Sequence, residues 1–213
     1  MSPLGNLRGV KIQIYKIKSM YIYGASGHAK ALIDLVEDRS SIKGVFDDDP
    51  KKLKVLEFIV FHSGIQSLPN DFPYLVGIGN NAIRKQIVSE KLLGMNFRSL
   101  LHRSAILSKS VKIGHGSVFM ENTIVKVDTV VGNHVIINTA STVDHDCEIA
   151  DYVHVGPGAT LCGGVKVGEG SLIGAKSVLL PGVSIGSWCV VGAGSVVHKS
   201  IGDGLTWIGT GLK

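Results

Sequence analysis

The sequence contains no long apolar run and few aromatic residues. No stretch reaches the roughly eighteen consecutive apolar residues of a transmembrane helix, and residues 1–19 lack the continuous apolar block of a signal peptide. Aromatic residues make up only 6% of the chain. We therefore expect a soluble, cytoplasmic protein without membrane insertion, whose core is built mainly from aliphatic side chains.

Cysteine is also rare, with three residues in a chain of 213. Cys147, Cys162 and Cys189 are odd in number, and their spacing matches no zinc-binding pattern. Both facts argue against a disulfide framework and against a structural metal site. The sequence therefore predicts buried thiols in a reducing compartment, and no bound metal.

The chain has little excess charge outside its first residues. Its formal net charge is +5. Four of these charges precede residue 20, and they belong to Arg8, Lys11, Lys16 and Lys18. The remaining residues are therefore near +1, without the basic stripe that is typical of nucleic-acid-binding proteins. We predict no nucleic-acid partner.

What the sequence has in abundance is a period of six. Every sixth residue is large and apolar, namely Leu101, Leu107, Ile113, Phe119, Val125, Val131, Ile137, Val143, Ile149, Val155, Leu161, Val167, Ile173, Leu179, Ile185, Val191 and Val197. A slim residue often follows four positions later, and Gly often follows directly. This period fits neither an α-helix nor simple strand alternation, and it is typical of a parallel β-helix in which three hexads close one coil. Residues one coil apart then stack at about 4.8 Å.

Before the repeat, the pattern is one of alternating strands and helices. The sequence predicts strands at Met20–Tyr23, Gly44–Phe46 and Tyr74–Ile78, and helices at His28–Glu37 and at residues 81–93. This order is typical of a small parallel sheet in a Rossmann-like α/β domain, with ligands at the carboxyl ends of its strands. We thus predict an extension at 1–19, an α/β domain at 20–98, an all-β parallel β-helix at 99–200 and a C-terminal tail at 201–213.

Two polar segments follow the first two predicted strands. The turn Gly24–His28 leads into a helix, whose N-terminal N–H groups can bind a diphosphate. Asp47 and Asp48 follow about twenty residues later, where a carboxylate commonly binds ribose hydroxyls. Each feature also has an ordinary structural interpretation: a plain turn, a solvated loop before Pro50 and, for His28, a satisfied residue at a helix start. The two segments indicate a nucleotide site without deciding it.

Among the eight histidines, His145 is the one followed directly by a carboxylate within the repeat, Asp146. A neutral imidazole with a carboxylate partner is an effective general base near neutral pH. A histidine that only packs at the surface is an equally open interpretation of the residues alone. A carbonic-anhydrase-type site would need three histidine ligands, but His145 and His154 do not stack and no third histidine has a suitable spacing.

Five strings taken together resemble a known family. They are YIYGASGHAKALIDL, FDDDP, VGIGNNAIRK, INTASTVDHDCEIADYVHVGPGATLCGGVKVG and LIGAKSVLLPGVSIG. Over about Met20 to Ile208 the chain resembles the bacterial sugar O/N-acyltransferases that join a Rossmann-like nucleotide-binding domain to a left-handed hexapeptide β-helix. It is similar to the UDP-4-amino-sugar N-acetyltransferases of the bacillosamine pathway, and the sialic acid O-acetyltransferases share the architecture.

The resemblance implies a role for each matching residue. His145 matches the general base that takes a proton from the sugar C4 amine, and Asp146 matches an acidic residue, often Glu, that makes this base stronger. His154 matches a contact to acetyl-CoA near the thioester. Backbone contacts to acetyl-CoA match Ala175 and Ala193. The positions that bind the UDP-sugar match Ser26, Gly27, His28, Asp47, Asp48 and Gly79.

The resemblance also implies a reaction and an assembly. Family members are homotrimers with each active site between two subunits, and they use acetyl-CoA and no metal. We therefore expect an acetyl-CoA-dependent N-acetyltransferase that acetylates the 4-amino group of a UDP-linked 4-amino-4,6-dideoxy sugar by direct attack. O-acetylation of a sialic acid or related sugar, and a non-catalytic nucleotide-sensing scaffold, stay open as alternatives. The family's usual Gly-Val-Pro-Ala-Lys ending is altered here, so the contact to the adenine end of CoA is open, although Lys213 can still reach a phosphate.

Overall fold

The computed structural model describes residues 19–62 and 68–213. These residues form two compact units, one that ends at Ser99 and one that runs from Leu100 to Lys213. The division lies next to the boundary expected from the start of the hexad repeat. The predicted extension at 1–19 lies outside the described residues except for Ser19.

The first unit is an α/β domain built on one five-stranded sheet. Its elements are β1 (Met20–Tyr23), α1 (Gly27–Leu35), a 3-10 turn (Arg39–Ser41), β2 (Ile42–Asp47), β3 (Lys54–Val55), β4 (Phe58–His62), β5 (Tyr74–Val76), α2 (Asn81–Gln86) and a π-helical turn (Ile87–Lys91). The strand order is β3-β4-β2-β1-β5, with β3 antiparallel to β4 and the other pairs parallel. The predicted parallel sheet is confirmed, with an added hairpin.

Burial explains the central elements of this unit. All four residues of β1 are buried, as expected for a parallel strand that is covered on both faces. On α1 the buried residues Ala29, Leu32 and Ile33 recur at helical spacing. The helix ends at Leu35, two residues before the predicted end, because Val36 already has extended backbone angles.

Two elements of this unit differ from the sequence-based expectation. The β3–β4 hairpin was not predicted, because Ile59 and Phe61 of β4 are apolar and yet exposed, so the strand shows no alternation of apolar and polar residues. The helix predicted at 81–93 is divided into α2 and the π-helical turn. Neither difference moves the carboxyl ends of β1, β2 and β5, which meet at one edge of the sheet.

The second unit is built from very short strands. They are β6 (Leu100–Leu101), β7 (Ile106–Leu107), β8 (Lys112–Ile113), β9 (Val118–Phe119), β10 (Ile124–Val125), β11 (Val130–Val131), β12 (Ile136–Ile137), β13 (Thr142–Val143), β14 (Glu148–Ile149), β15 (His154–Val155), β16 (Thr160–Leu161), β17 (Lys166–Val167), β18 (Leu172–Ile173), β19 (Val178–Leu179), β20 (Ser184–Ile185), β21 (Val190–Val191), β22 (Val196–Val197), β23 (Thr206–Ile208) and β24 (Gly211–Leu212).

Each strand from β6 to β19 pairs in parallel with the strand three positions later. The pairs form three sheets, which are the three faces of a parallel β-helix. We call them face 1 (β6, β9, β12, β15, β18, β21, β23), face 2 (β7, β10, β13, β16, β19, β22) and face 3 (β8, β11, β14, β17, β20). This confirms the predicted coil of three hexads.

The position of a residue within the hexad decides its environment. The large apolar residue points inward, and Val125, Val143 and Leu161 are fully buried. The residue three positions later commonly has a positive φ, for example 57° at Asp146, which Gly, Asn and Asp tolerate best. The recurrent Gly directly after the apolar residue reflects close packing of the coils. A Cβ on Gly174 would lie 2.5 Å from the backbone nitrogen of Ala193, on the next coil.

The last coil departs from the repeat. Val191 pairs with Trp207, sixteen residues later instead of eighteen. The Trp207 side chain is fully buried, and its Nε1–H lies 3.2 Å from the carbonyl oxygens of both Val196 and Gly209. Trp207 therefore closes the end of the apolar core, as capping elements do in repeat proteins. The sequence predicted only a tail in this region.

Candidate active site

A cavity of about 430 Å³ lies in the α/β unit. It is lined by Tyr23, Ser26, His28, Asp47, Asp48, Asp49, Lys52, Gly77, Ile78, Gly79, Asn80, Ile83 and Ile87. These residues come mainly from the segments that follow β1, β2 and β5, because parallel strands end at the same edge of a sheet. The cavity thus brings together five of the six residues predicted to bind the nucleotide sugar. Gly27, the sixth, is the first residue of α1.

The helix α1 begins at this cavity. Its N-cap is Ser26, which has extended backbone angles and a side chain that makes no capping hydrogen bond. The N-terminal N–H groups of a helix carry the positive end of its dipole. This arrangement favours an anionic group beside Ser26 and His28.

Asp47 is a buried carboxylate that joins two of the cavity loops. Its Oδ2 accepts hydrogen bonds from the Ala25 N–H at 2.7 Å and from Lys52 Nζ at 2.9 Å. Its Oδ1 accepts the Asp49 N–H at 2.9 Å. Asp47 therefore holds the turn after β1 against the loop after β2. Its contact with a ribose stays a prediction.

Asp48 is the more accessible of the two carboxylates, with 41% of its side chain exposed. Its Oδ1 accepts a hydrogen bond from the Tyr23 hydroxyl at 2.7 Å. The Lys91 Nζ lies 3.7 Å from its Oδ2. Asp48 thus presents carboxylate surface to the cavity at a position fixed by Tyr23.

A buried arginine that sequence analysis did not single out holds the loop after β5. Arg84 is 1% exposed. Its Nη1 donates to the carbonyl oxygens of Ile78 at 3.0 Å and Gly79 at 3.1 Å, and its Nη2 donates to Asn81 Oδ1 at 3.0 Å. These bonds hold the backbone of Ile78 and Gly79 in place and tie it to the start of α2. The available signal was the spacing of Asn81 and Arg84, which are three residues apart and therefore share the inward side of α2.

His145 and Asp146 lie in the corner between β13 and β14. The Nδ1 of His145 is 2.7 Å from Asp146 Oδ2, and the His145 backbone N–H donates to Asp144 Oδ1 at 2.8 Å. An ionised carboxylate can only accept, so Nδ1 carries the proton and Nε2 presents a lone pair. The predicted pair is therefore in contact and in the tautomer that a general base needs.

The two neighbouring carboxylates also make the His145 imidazole more basic. The hydrogen bond to Asp146 and the charge of Asp144 raise the pKa of His145 above its ordinary value. The His145 side chain is 55% exposed, so a substrate can reach it. A higher pKa makes the neutral imidazole a stronger proton acceptor. It also means that a larger fraction of the ring is protonated at a given pH near the pKa.

The imidazole of His145 rests on a glycine of the next coil. A Cβ on Gly163 would lie 2.6 Å from His145 Cε1 and 2.7 Å from Nε2. Gly163 does not have a positive φ, so this position requires the small size of glycine and not its conformational freedom. Gly163 thereby provides the space in which the His145 ring lies.

The predicted contacts to acetyl-CoA lie elsewhere on the β-helix. His154 is the half-buried outward residue of β15. Ala175 lies between β18 and β19, and Ala193 lies between β21 and β22. Both alanines are therefore on the edge where face 1 meets face 2, whereas His145 is on the edge where face 2 meets face 3. Within one chain, the structure does not bring His145 together with the alanines.

The backbone N–H groups of Ala175 and Ala193 are open donors. At the matching hexad position on another edge, the Asn133 N–H donates to Asp151 Oδ1 at 2.7 Å. Within residues 19–62 and 68–213, no acceptor takes a hydrogen bond from the N–H of either alanine. Backbone N–H groups require a partner when they are covered. Open N–H groups on successive coils therefore suit the carbonyl groups of an extended ligand.

Metal clusters and membrane-spanning helices are both missing from the described part of the chain. No three or more His, Cys, Asp and Glu side chains there come close enough to hold a metal ion. No helix there has the length and the apolar character to span a membrane. All three cysteines are free thiols, with Cys147 and Cys189 buried and Cys162 half-buried. Burial raises the pKa of Cys147 to about 11, so this thiol stays protonated at neutral pH.

Known proteins match both units. The PglD N-terminal domain family matches residues 19–91, and the bacterial transferase hexapeptide family matches residues 164–199. The acetyltransferase domain of PglB from Neisseria gonorrhoeae FA1090, solved in complex with acetyl coenzyme A, is 35% identical with a TM-score of 0.84, over 92% of this chain and 98% of that chain. PerB from Caulobacter crescentus, solved with CoA and GDP-perosamine, is 33% identical with a TM-score of 0.80, over 92% and 96%.

A curated relative matches over a shorter length. The UDP-N-acetylbacillosamine N-acetyltransferase of Bacillus subtilis (strain 168) is 40% identical over 115 residues, which is 49% of this chain and 52% of that enzyme. The match thus spans about half the length of this relative. The solved structures and the match to the hexapeptide family confirm a Rossmann-like α/β domain followed by a left-handed parallel β-helix. The chain belongs to the bacterial sugar O/N-acyltransferases with hexapeptide repeats.

Proposed function

We propose that this protein is an acetyl-CoA-dependent N-acetyltransferase that acetylates the 4-amino group of a UDP-linked 4-amino-4,6-dideoxy sugar. The observation that carries the proposal is the 2.7 Å contact between His145 and Asp146 on an exposed corner of the β-helix. The relatives support the substrate class. One is a UDP-N-acetylbacillosamine N-acetyltransferase, and others were solved with acetyl coenzyme A or with GDP-perosamine.

In this reaction His145 acts as the general base through Nε2. It takes a proton from the sugar amine while the amine nitrogen attacks the carbonyl carbon of the thioester. A C–N bond forms, the C–S bond breaks, and the departing thiolate then takes up the proton. Asp146 stabilises the imidazolium because its carboxylate accepts the Nδ1–H. Direct attack requires only a base and well-positioned partners, so the proposal includes neither an acetyl-enzyme nor a metal.

The nucleotide sugar is proposed to bind in the cavity of the α/β unit. Its volume of about 430 Å³ lies within the usual range for small-molecule sites. The diphosphate would meet the N-terminus of α1 at Ser26, Gly27 and His28. Asp48 would accept hydrogen bonds from ribose hydroxyls or base N–H groups, and Gly79 would contact the sugar nucleotide through its backbone. Asp47 would act by holding the turn after β1 against the loop after β2.

Acetyl-CoA is proposed to bind along the edge between face 1 and face 2. The open N–H groups of Ala175 and Ala193 support this placement, since they are eighteen residues apart and stack on successive coils. The pantetheine carbonyl groups would accept hydrogen bonds from them. His154 would contact the acyl end near the thioester.

A homotrimer with active sites between subunits is supported by the contrast between the outward residues of face 2 and those of face 3. On face 2 they are Ile106, Ile124, Thr142, Thr160, Val178 and Val196, whereas on face 3 they are Lys112, Val130, Glu148, Lys166 and Ser184. Face 2 therefore suits burial against a second copy. The edges that carry His145 and Ala175 border face 2 on opposite sides. A neighbour packed along this face would bring the base of one chain toward the alanines of the other.

The trimer is tested by adding a charge to face 2. We expect Val178→Glu to shift the mass measured by light scattering from trimer to smaller species and to abolish activity, because an unpaired carboxylate would be buried in the interface. Ser184→Glu, on face 3, is the matched control and should remain trimeric. A monomeric mass for the unaltered protein would contradict the proposed assembly.

We place the reaction in the cytoplasm, where acetyl-CoA and nucleotide sugars are made and where free thiols such as those of this chain persist.

The decisive experiment is a thiol-release assay with acetyl-CoA against UDP-, GDP- and dTDP-linked 4-amino sugars, with free sialic acid as a control. We expect turnover with a UDP-4-amino sugar. Turnover with sialic acid alone would establish the O-acetyltransferase alternative, and absence of acetyl-CoA binding by calorimetry would favour the non-catalytic scaffold.

A further inference from the structure

His154 contacts an asparagine whose orientation is fixed by the backbone. The Nδ2 of Asn138, in the corner after β12, lies 3.0 Å from His154 Nε2. The Oδ1 of Asn138 accepts the Thr139 N–H at 2.8 Å and lies 3.3 Å from the Thr139 hydroxyl. A backbone N–H can only donate, so the amide oxygen must face Thr139. The amide NH₂ group therefore faces His154.

This orientation decides where the proton of His154 lies. An amide NH₂ donates and does not accept, so His154 Nε2 must be the acceptor and cannot carry a proton. The proton of the neutral ring is then on Nδ1. We infer that Asn138 is a positioning residue that holds His154 in the Nδ1–H tautomer and makes it a hydrogen-bond donor to the acyl-CoA, not a second base.

The neighbours of His154 on face 1 fit a neutral ring. The outward residue before it is Ile136, which pairs with His154 and is 1% exposed. The outward residue after it is Leu172, which is half-buried. Aliphatic neighbours on both sides would deprive a charged imidazolium of water. The surroundings thus favour a ring that donates from one nitrogen and accepts at the other.

The two histidines share a tautomer, but their neighbours bind different ring nitrogens. In His145 the Nδ1–H is bound by Asp146, so the Nε2 lone pair is the group that can react. In His154 the Nε2 lone pair is bound by Asn138, so the ring proton lies on Nδ1. The use of this donor toward a carbonyl oxygen of the acyl-CoA rests on the proposed function. The tautomer itself does not.

The tautomer is tested by long-range proton–nitrogen correlation spectra of the protein labelled with ¹⁵N-histidine. We expect His154 to show a protonated Nδ1 and an unprotonated Nε2. In Asn138→Asp the new carboxylate accepts from the ring, so the proton should move to Nε2. Asn122→Asp adds the same charge to the same edge one coil earlier and should leave the His154 signals unchanged. A protonated Nε2 in the unaltered protein, or no change in Asn138→Asp, would overturn the inference.

The donor role is tested by calorimetry with acetyl-CoA. We expect Asn138→Asp to weaken binding by about tenfold relative to Asn122→Asp, the effect of losing one hydrogen bond. In a His154→Ala background, Asn138→Asp should cause no further loss. An equal loss in that background would show that Asn138 does not act through His154. If the unaltered protein fails to bind acetyl-CoA, the proposed function and the donor role both fall, while the spectra still decide the tautomer.

Discussion

The two units place their candidate residues in different ways. In the α/β unit, buried polar groups hydrogen-bond to the loops of the cavity, as Asp47 does to Ala25 and Arg84 does to Gly79. In the β-helix, the frame is an apolar core that contains none of the candidate residues, and His145 projects from a corner of it. Substitutions in the first unit should therefore disturb binding and stability together. Substitutions at the corners should change the chemistry and leave the fold intact.

The largest loss of activity without a loss of stability is expected at His145. We expect His145→Ala to lower kcat/KM by roughly 10² to 10⁴, the usual effect of removing a general base. The melting temperature and the calorimetric affinity for acetyl-CoA should not change, because the side chain is exposed and outside the core. Near-normal turnover in this variant would contradict the role of His145 as the base.

The opposite behaviour is expected at Arg84. We expect Arg84→Leu to raise KM for the nucleotide sugar by about tenfold or more and to leave kcat nearly unchanged, because two loop carbonyls lose a charged donor. The free energy of unfolding, measured by urea denaturation, should fall by about 3 kcal/mol, the order expected for disrupting a buried charged network.

Lys85→Ala removes a neighbouring cation from α2 and leaves the three hydrogen bonds of Arg84 in place, so it is the matched control. Its KM and its unfolding midpoint should stay close to those of the unaltered protein. An equal effect of both variants would show that charge, and not the hydrogen bonds of Arg84, positions the loop.

A smaller effect is expected at Gly163, where the corner itself is altered. We expect Gly163→Ala to lower kcat by about tenfold, because the new Cβ displaces the His145 ring and weakens the hydrogen bond to Asp146. The pKa of His145, followed by NMR, should fall toward its ordinary value. Gly202→Ala adds a methyl group where the nearest side-chain atom would be 4.0 Å away, and it should change neither quantity. An unaltered pKa in Gly163→Ala would contradict the packing argument.

The β-helix was predictable from the sequence because its contacts repeat. A residue such as Val143 meets the residues one coil away, so one interaction specifies a period that is visible without a structure. The period does not reveal where the repeat becomes irregular. The last coil is two residues shorter than the others, so Trp207 does not fall on the six-residue period. For this reason the sequence predicted only a tail there.

The candidate site was predictable only in part, for a related reason. His145 and Asp146 are adjacent in the sequence, so their contact could be expected from it. The contacts of Arg84 with a loop and of Asn138 with His154 depend on side-chain orientation and on the stacking of coils. The spacing of Asn81 and Arg84 places both on the inward side of α2 but does not identify the loop as their partner. No local pattern distinguishes Asn138 from an ordinary surface residue, and its contact with His154 became visible only in three dimensions.

The base assignment is tested most directly by comparing two titrations, one of the His145 imidazole by NMR and one of kcat/KM. Since the neutral ring is the active form, kcat/KM should rise with pH through the raised pKa of His145. The two midpoints should coincide, and both should move to lower pH in Asp146→Asn, which removes the carboxylate. If the NMR midpoint moves and the acid limb of kcat/KM does not, His145 is not the base.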